Sequence, residues 1–197
     1  MINADLAGVT SVAEFHDSIV KQQEAAHGEQ YCAMHAAIRA LWSGSDCRTY
    51  KELGVHQGGS ASNALLLQPQ PKRITLIDID LAKYRKFLAP LAEEHCLRLG
   101  IDLDVREVNS ALPAPADDTC DMLVIDSMHT ASHMLAELAA HGVHATKHIV
   151  AHDTSIVNGR KNDQLYRALT TWGRSNGWSV SVHCTDNVGF TAISKEA

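Results

Sequence analysis

The chain has 197 residues, of which 45% are hydrophobic, and a formal net charge of −6. That length and apolar share fit one globular domain with a well-buried core. The acidic balance, with no run of lysine or arginine, argues against a nucleic-acid partner held through its phosphates. No apolar run approaches the roughly eighteen residues needed to cross a bilayer, so no membrane role is expected. Cys32, Cys47, Cys96, Cys120 and Cys184 stand far apart without C-x-x-C spacing. They read as reduced, buried thiols rather than a zinc cluster or a disulfide framework. The opening Met1-Ile-Asn-Ala-Asp5 lacks a basic segment followed by an apolar stretch, and a cytoplasmic location is the expectation.

From about Ser11 to Ser43 apolar residues recur at helical intervals, with Gly28 as a break, which predicts one or two leading helices. Short apolar strands then alternate with helical segments. Strands are expected at Tyr50–Leu53, Arg73–Ile77, Leu103–Val108, Met122–Ile125 and His148–Ala151. Helices are expected at Ser60–Leu67, Leu81–His95, Ala131–His141 and Asp163–Ser175. The closing runs Ser179–His183 and Gly189–Ile193, separated by Thr185-Asp-Asn187, read as a terminal hairpin. The alternation predicts an α/β fold: a doubly wound, Rossmann-like, mostly parallel seven-stranded sheet with a C-terminal antiparallel hairpin and leading N-terminal helices. Residues 1–48 are expected to form a helical lid or a dimerisation face, their apolar stripe needing a partner in either case. Trp42, costly if exposed in a monomer, points to a homodimer. Residues 49–197 carry the sheet.

Ligands of such sheets bind beyond the carboxyl ends of the strands, and polar residues collect there. After the first strand comes Lys51-Glu-Leu-Gly-Val-His-Gln-Gly-Gly-Ser60. The glycines Gly54 and Gly58 allow a tight turn and close approach of a ligand to the main chain. Their spacing matches neither the dinucleotide fingerprint nor the P-loop, which needs a lysine; an NAD-linked oxidoreductase is accordingly disfavoured. The carboxylate of Glu52 would repel a pyrophosphate but suit a ligand with positive charge or with sugar and amine donors. The alternative is that Glu52 pairs locally while the glycines only make a turn. Later strand ends carry Asp78 and Asp80, then Asn109 and Ser110, then Asp126, Ser127 and His129, and last His152, Asp153 and Thr154.

From about Tyr50 onward these residues resemble the class I S-adenosylmethionine-dependent methyltransferases, and within them the small O-methyltransferases of the catechol, macrocin and cephalosporin-hydroxylase-like groups. Glu52-Leu-Gly54-Val-His-Gln-Gly58 looks like the first cofactor motif, and Leu76-Ile-Asp78 like the acidic end of the second strand. Leu123-Val-Ile-Asp126-Ser-Met-His129 is similar to the family's D-G-x-H segment, and Val150-Ala-His152-Asp153-Thr154 to its H-D-T segment. The resemblance implies S-adenosylmethionine as cofactor, contacted by Glu52, Gly54, Gly58, Ser60, Asp78, Asn109 and Ser110, and a small-molecule hydroxyl as methyl acceptor. Asp78 would accept both ribose hydroxyl protons; Asp80 is the better N-cap for the helix that follows. Asn109 and Ser110 would meet the adenine edge, or else hold a turn.

Methyl transfer to oxygen requires a positioned nucleophile and removal of its proton. Asp126 and Asp153, with Thr154, are the implied ligands of a divalent metal, magnesium or manganese, which would lower the pKa of a coordinated hydroxyl. The catechol branch has asparagine where this chain has Thr154, and a hydroxyl is a poorer ligand than an amide carbonyl. His152 offers a nitrogen instead, which would tilt preference toward manganese, iron or zinc. His129, whose ordinary pKa is about 6.5, is the expected general base. The competing reading keeps the fold and pocket but makes the protein a cofactor-binding or scaffold module, because function belongs to the site and not to the fold.

Overall fold

The computed structural model describes residues 8–157 and 160–195; the Met1–Asp5 start lies outside them. Two helices lead, α1 (Val12–His27) and α2 (Ala33–Ser43). Ser11 caps α1 by accepting the Glu14 N–H, and Gly28 follows its end, where the sequence places the break. Then come β1 (Thr49–Leu53), α3 (Gly59–Leu65), β2 (Arg73–Asp78), α4 (Ala82–Phe87), α5 (Ala89–Leu99) and β3 (Asp102–Glu107). The second half runs β4 (Cys120–Ile125), α6 (Ala131–Ala140), β5 (Ala145–His152), β6 (Ile156–Val157), β7 (Arg160–Lys161), α7 (Gln164–Ser175), β8 (Trp178–Cys184) and β9 (Phe190–Lys195).

Seven strands form one sheet in the order β3-β2-β1-β4-β5-β9-β8. The first five are mutually parallel, and β9 enters antiparallel to both β5 and β8. Parallel neighbours need long crossovers, which the intervening helices supply. Strand order reverses between β1 and β4, which opens a crevice above their carboxyl ends. Alternate side chains of each strand feed opposite layers. Tyr50, Ile74, Leu76, Met122, Val124 and Val150 pack beneath the first five helices, while Leu53, Ile77, Leu123, Ile125 and Ile149 pack beneath α6 and α7.

The leading helices share the first of these layers. Phe15, Ile19, Ile38 and Trp42 are all essentially inaccessible to solvent, and each such side chain stabilises by roughly 1.5–3 kcal/mol. Trp42 therefore does not mark a dimer face: its indole N–H donates to the Pro69 carbonyl at 2.6 Å. A second difference from the sequence reading is the helix expected over Leu81–His95, which is two helices. Pro90 sits in the first turn of α5, where its missing N–H is tolerated, and it disfavours continuous helix through Ala89. The two-residue pair β6 and β7 has no counterpart in the sequence reading. Among the described residues, no helix is long and apolar enough to cross a membrane.

One buried ion cluster supports the rim. Lys51 of β1 is 1% exposed and reaches Asp118 Oδ2 at 2.8 Å, where Arg106 also binds at 2.9 Å. Breaking such a pair would leave an uncompensated buried charge, at a cost of about 3–5 kcal/mol. It pins the far end of the β3–β4 connection, the segment that delivers Asn109 and Ser110.

Candidate functional site

The ends of all five parallel strands open into one cavity of about 540 Å³. Its floor carries Gly54 and Ser60 after β1, Asp78 after β2, Asn109 and Ser110 after β3, Asp126 and His129 after β4, and His152 from β5. Tyr31, Met34 and His35, from the turn into α2 and its first residues, form the roof. Glu52, Gly58, Asp153 and Thr154 are not part of the cavity wall.

The β1–β2 side is built from backbone. Gly54 has φ +89°, and a Cβ there would lie 2.2 Å from the Asp126 carbonyl oxygen, so any side chain would push β1 and β4 apart. Gly58 has φ +96°, and a Cβ would meet Leu88 Cδ2 at 2.5 Å. Gly58 thus serves the packing of the loop on Leu88, the residue between α4 and α5. Asp78 Oδ2 accepts the Val55 and His56 N–H groups at 2.7 and 2.8 Å, and its Oδ1 accepts the Asp80 N–H at 3.0 Å. Asp80 is not the N-cap of α4, which is Leu81; from one residue earlier its Oδ1 accepts the Ala82 N–H at 2.9 Å.

Glu52 departs from the ligand-facing position expected for it. Its carboxylate is fully buried, with Oε1 accepting the Ser60 hydroxyl at 2.6 Å and Oε2 the Tyr50 hydroxyl at 2.8 Å. Burial, reinforced by the charges of Asp126 and Asp78, pushes its pKa up to about 8 against the pull of the two hydroxyl donors,. Glu52 therefore ties β1 to α3 beneath the cavity, and Ser60 is the member of that pair that lines it. Ser110 likewise points its hydroxyl inward, to Glu137 on α6. Asn109 Oδ1 accepts the Ala111 N–H at 2.9 Å, the turn-holding alternative.

The β4–β5 side is a cluster of charges. His129 Nε2 lies 2.8 Å from Asp153 Oδ2 and 3.7 Å from Asp126 Oδ1. His152 Nδ1 lies 3.2 Å from Asp126 Oδ1 and 3.7 Å from Asp153 Oδ1. The hydrogen bonds to Asp126 and Asp153 push the His129 pKa up to about 10, so in this arrangement it is an imidazolium and not the near-neutral base of the sequence reading. Although desolvation pushes Asp126 up, the charges and hydrogen bonds of His152 and His129 hold it well below the usual carboxylate range. Asp126, His152 and Asp153 each offer a ligand atom, all within 4.8 Å of one another. Thr154 does not join them: it is 1% exposed and its hydroxyl accepts from Thr191 at 2.9 Å. Asp153 has φ +55°, which turns the chain off β5 and sends the two neighbours of Asp153 different ways. Over the cluster stands Tyr31, edge-on to His152 with ring centroids 5.9 Å apart.

The sequence reading passed over Tyr31 and Glu137. Nothing in the pattern marks Tyr31. Glu137 carries a legible signal, since it is an acid beside Met134 and Leu138 on the apolar stripe of α6, and an acid there needs partners to be buried.

No family model matches the sequence, and no curated protein matches it either. Solved structures do match. Magnesium protoporphyrin IX methyltransferase from Synechocystis, solved with bound S-adenosylhomocysteine, superposes with a TM-score of 0.58 at 11% identity over 96% of this chain and 89% of that one. The same enzyme with bound S-adenosylmethionine gives 0.58 at 12% identity over 96% and 86%. An O-methyltransferase family protein from Burkholderia thailandensis gives 0.62 at 13% identity over 94% of this chain and 59% of that one. At these identities the likeness is one of architecture: the chain has the Rossmann-like fold of the S-adenosylmethionine-dependent methyltransferases.

Proposed function

We propose that the protein is an S-adenosylmethionine-dependent O-methyltransferase that transfers the methyl group to a hydroxyl of a small molecule. The observation that carries this reading is the continuity of one cavity from the Asp78 loop to Asp126, His129 and His152. A nucleoside at the first end puts its sulfonium toward the second, where an acceptor oxygen attacks the methyl carbon and the sulfur leaves as a neutral thioether. Asp78 receives the ribose, but three of its roughly four lone-pair sites already take backbone N–H groups, so it has room for one hydroxyl and not two.

His129 takes the acceptor's proton only when Asp126 and Asp153 are engaged elsewhere, because those carboxylates are what keep it protonated. The donor set Asp126, His152 and Asp153 fits a divalent cation, and its nitrogen favours manganese, iron or zinc over magnesium. A cation held there would lower the pKa of a bound acceptor hydroxyl. The imidazolium state of His129 is also what favours a second reading, a cofactor-binding module without turnover.

Calorimetric titration of metal-stripped protein with S-adenosylmethionine and S-adenosylhomocysteine, repeated with magnesium and manganese, tests the cofactor assignment. A labelled methyl donor with a panel of hydroxyl compounds then separates enzyme from module. Micromolar binding with methyl transfer is the expected outcome; binding without transfer to any acceptor leaves the module, and no binding under any condition removes both.

A further inference from the structure

The two edges of the sheet differ in how they meet solvent. At one edge β3 carries Asp102, Asp104, Arg106 and Glu107, and charges so placed keep an edge from pairing with another chain. At the other edge β8 reads Trp-Ser-Val-Ser-Val-His-Cys, without an acid, a lysine, an arginine or a proline. Among the described residues β8 pairs with β9 alone, so its outer row of backbone N–H and C=O groups has no strand beside it. Ser179, Val180, Ser181 and His183 are exposed along it. A register shift between Val180 and Val182 bends the strand locally but puts no charge on it.

The charges stand at the ends of β8 instead, and they are of opposite sign. At its start Lys195 lies 5.6 Å from the centre of the Trp178 ring. There too Arg174 of α7, with Trp178, Ser179 and Val180, lines an open groove of about 430 Å³. At its finish Asp186 follows Cys184 in the turn toward β9. Lys195, Arg174 and Asp186 are all exposed.

We propose that β8 is the interface of a homodimer, in which two copies pair their β8 strands antiparallel about a two-fold axis and join their sheets into one. Antiparallel pairing sets the Lys195 and Arg174 end of each copy against the Asp186 end of the other, whereas a parallel pair would set like charges together. An uncharged strand is also what a chain of net charge −6 requires where it meets itself,. The pairing is isologous, so it uses up both edges and stops at two copies. The groove beside Trp178 takes the partner's turn, adding side-chain burial to the ladder of backbone hydrogen bonds.

Sedimentation equilibrium of the full chain at micromolar concentrations tests this, and a dimer is expected. Val180→Lys places a charge on each edge and is expected to raise the dimer dissociation constant by at least about tenfold, with the circular-dichroism spectrum unchanged. Asp186→Lys sets like charges together at both ends of the pair and is expected to raise it by at least about threefold. Adding Arg174→Glu to Asp186→Lys is expected to recover most of that loss, a rescue that antiparallel strands give and parallel ones do not. Should Val180→Lys fail to fold, Ser179→Lys takes its place. A monomeric wild type, an assembly larger than two copies, a dimer that the edge lysine does not weaken, or a charge swap without rescue overturns the proposal.

Discussion

Glu52 on β1 and Asp126 just past the neighbouring β4 are carboxylates of adjacent strands, and their surroundings drive them in opposite directions. Glu52 meets only hydroxyl donors, and burial raises it to about 8. Asp126 meets two imidazoles and is held low despite its desolvation. The first is part of a closed scaffold whose polar groups are satisfied by the protein itself. The second belongs to a cluster whose pairs must part before a ligand can use them. One half of the cavity is therefore organised to hold, the other to exchange partners.

Substitutions can break this division. The largest effect is expected from His129→Asn, which should slow turnover by about two to four powers of ten while calorimetry shows cofactor affinity preserved; parallel loss of both would merge the two halves. Asp78→Ala should weaken cofactor binding by about 10–100-fold through one ribose contact and the two loop N–H groups it orders, with the circular-dichroism spectrum unchanged. His152→Ala should reduce manganese affinity by about 10–100-fold, whereas Thr154→Val should leave it alone, as followed by titration of the metal-stripped protein; the reverse pattern would restore Thr154 to the ligand set.

The smallest effect sharpens the contrast through pH. Glu52 binds its proton more tightly folded than unfolded, so its contribution to stability is complete below about 4.5 and is lost as pH climbs through about 8,. His129, also raised, contributes fully below 6.5 and loses that contribution through about 10. Asp126, lowered, contributes above the ordinary value of 3.8 and loses it as pH falls. Glu52→Gln should flatten the decline between about pH 5 and 8, while the decline due to His129 persists; denaturant titrations across that range measure both.

The strands, their alternation with helices and the closing hairpin are legible in the sequence because apolar periodicity and turn residues report backbone form directly. The polar strand ends are legible for the same reason. What a polar side chain does at a strand end is less so, because partner choice depends on the backbone turn. The φ of +55° at Asp153 brings His152 rather than Thr154 to the cluster, and no spacing rule encodes it. Glu52 reads as a ligand contact until the hydroxyls of Tyr50 and Ser60 are seen to enclose it. Pro90 and Glu137 are different: each carries a local signal, a helix breaker and an acid on an apolar stripe, that the periodicity around it outweighs.

The position of β9 also bears on how the chain assembles as it is made. This strand follows β8 in the sequence yet lies inside the sheet, hydrogen-bonded to β5 on one side and β8 on the other. When β8 leaves the ribosome its partner β9 is not yet made, and β5 stands open. The sheet is completed only when the two arrive as a hairpin, so the β5 edge beside His152 stays open until β9 is made, and a stalled chain would expose it for pairing with another copy.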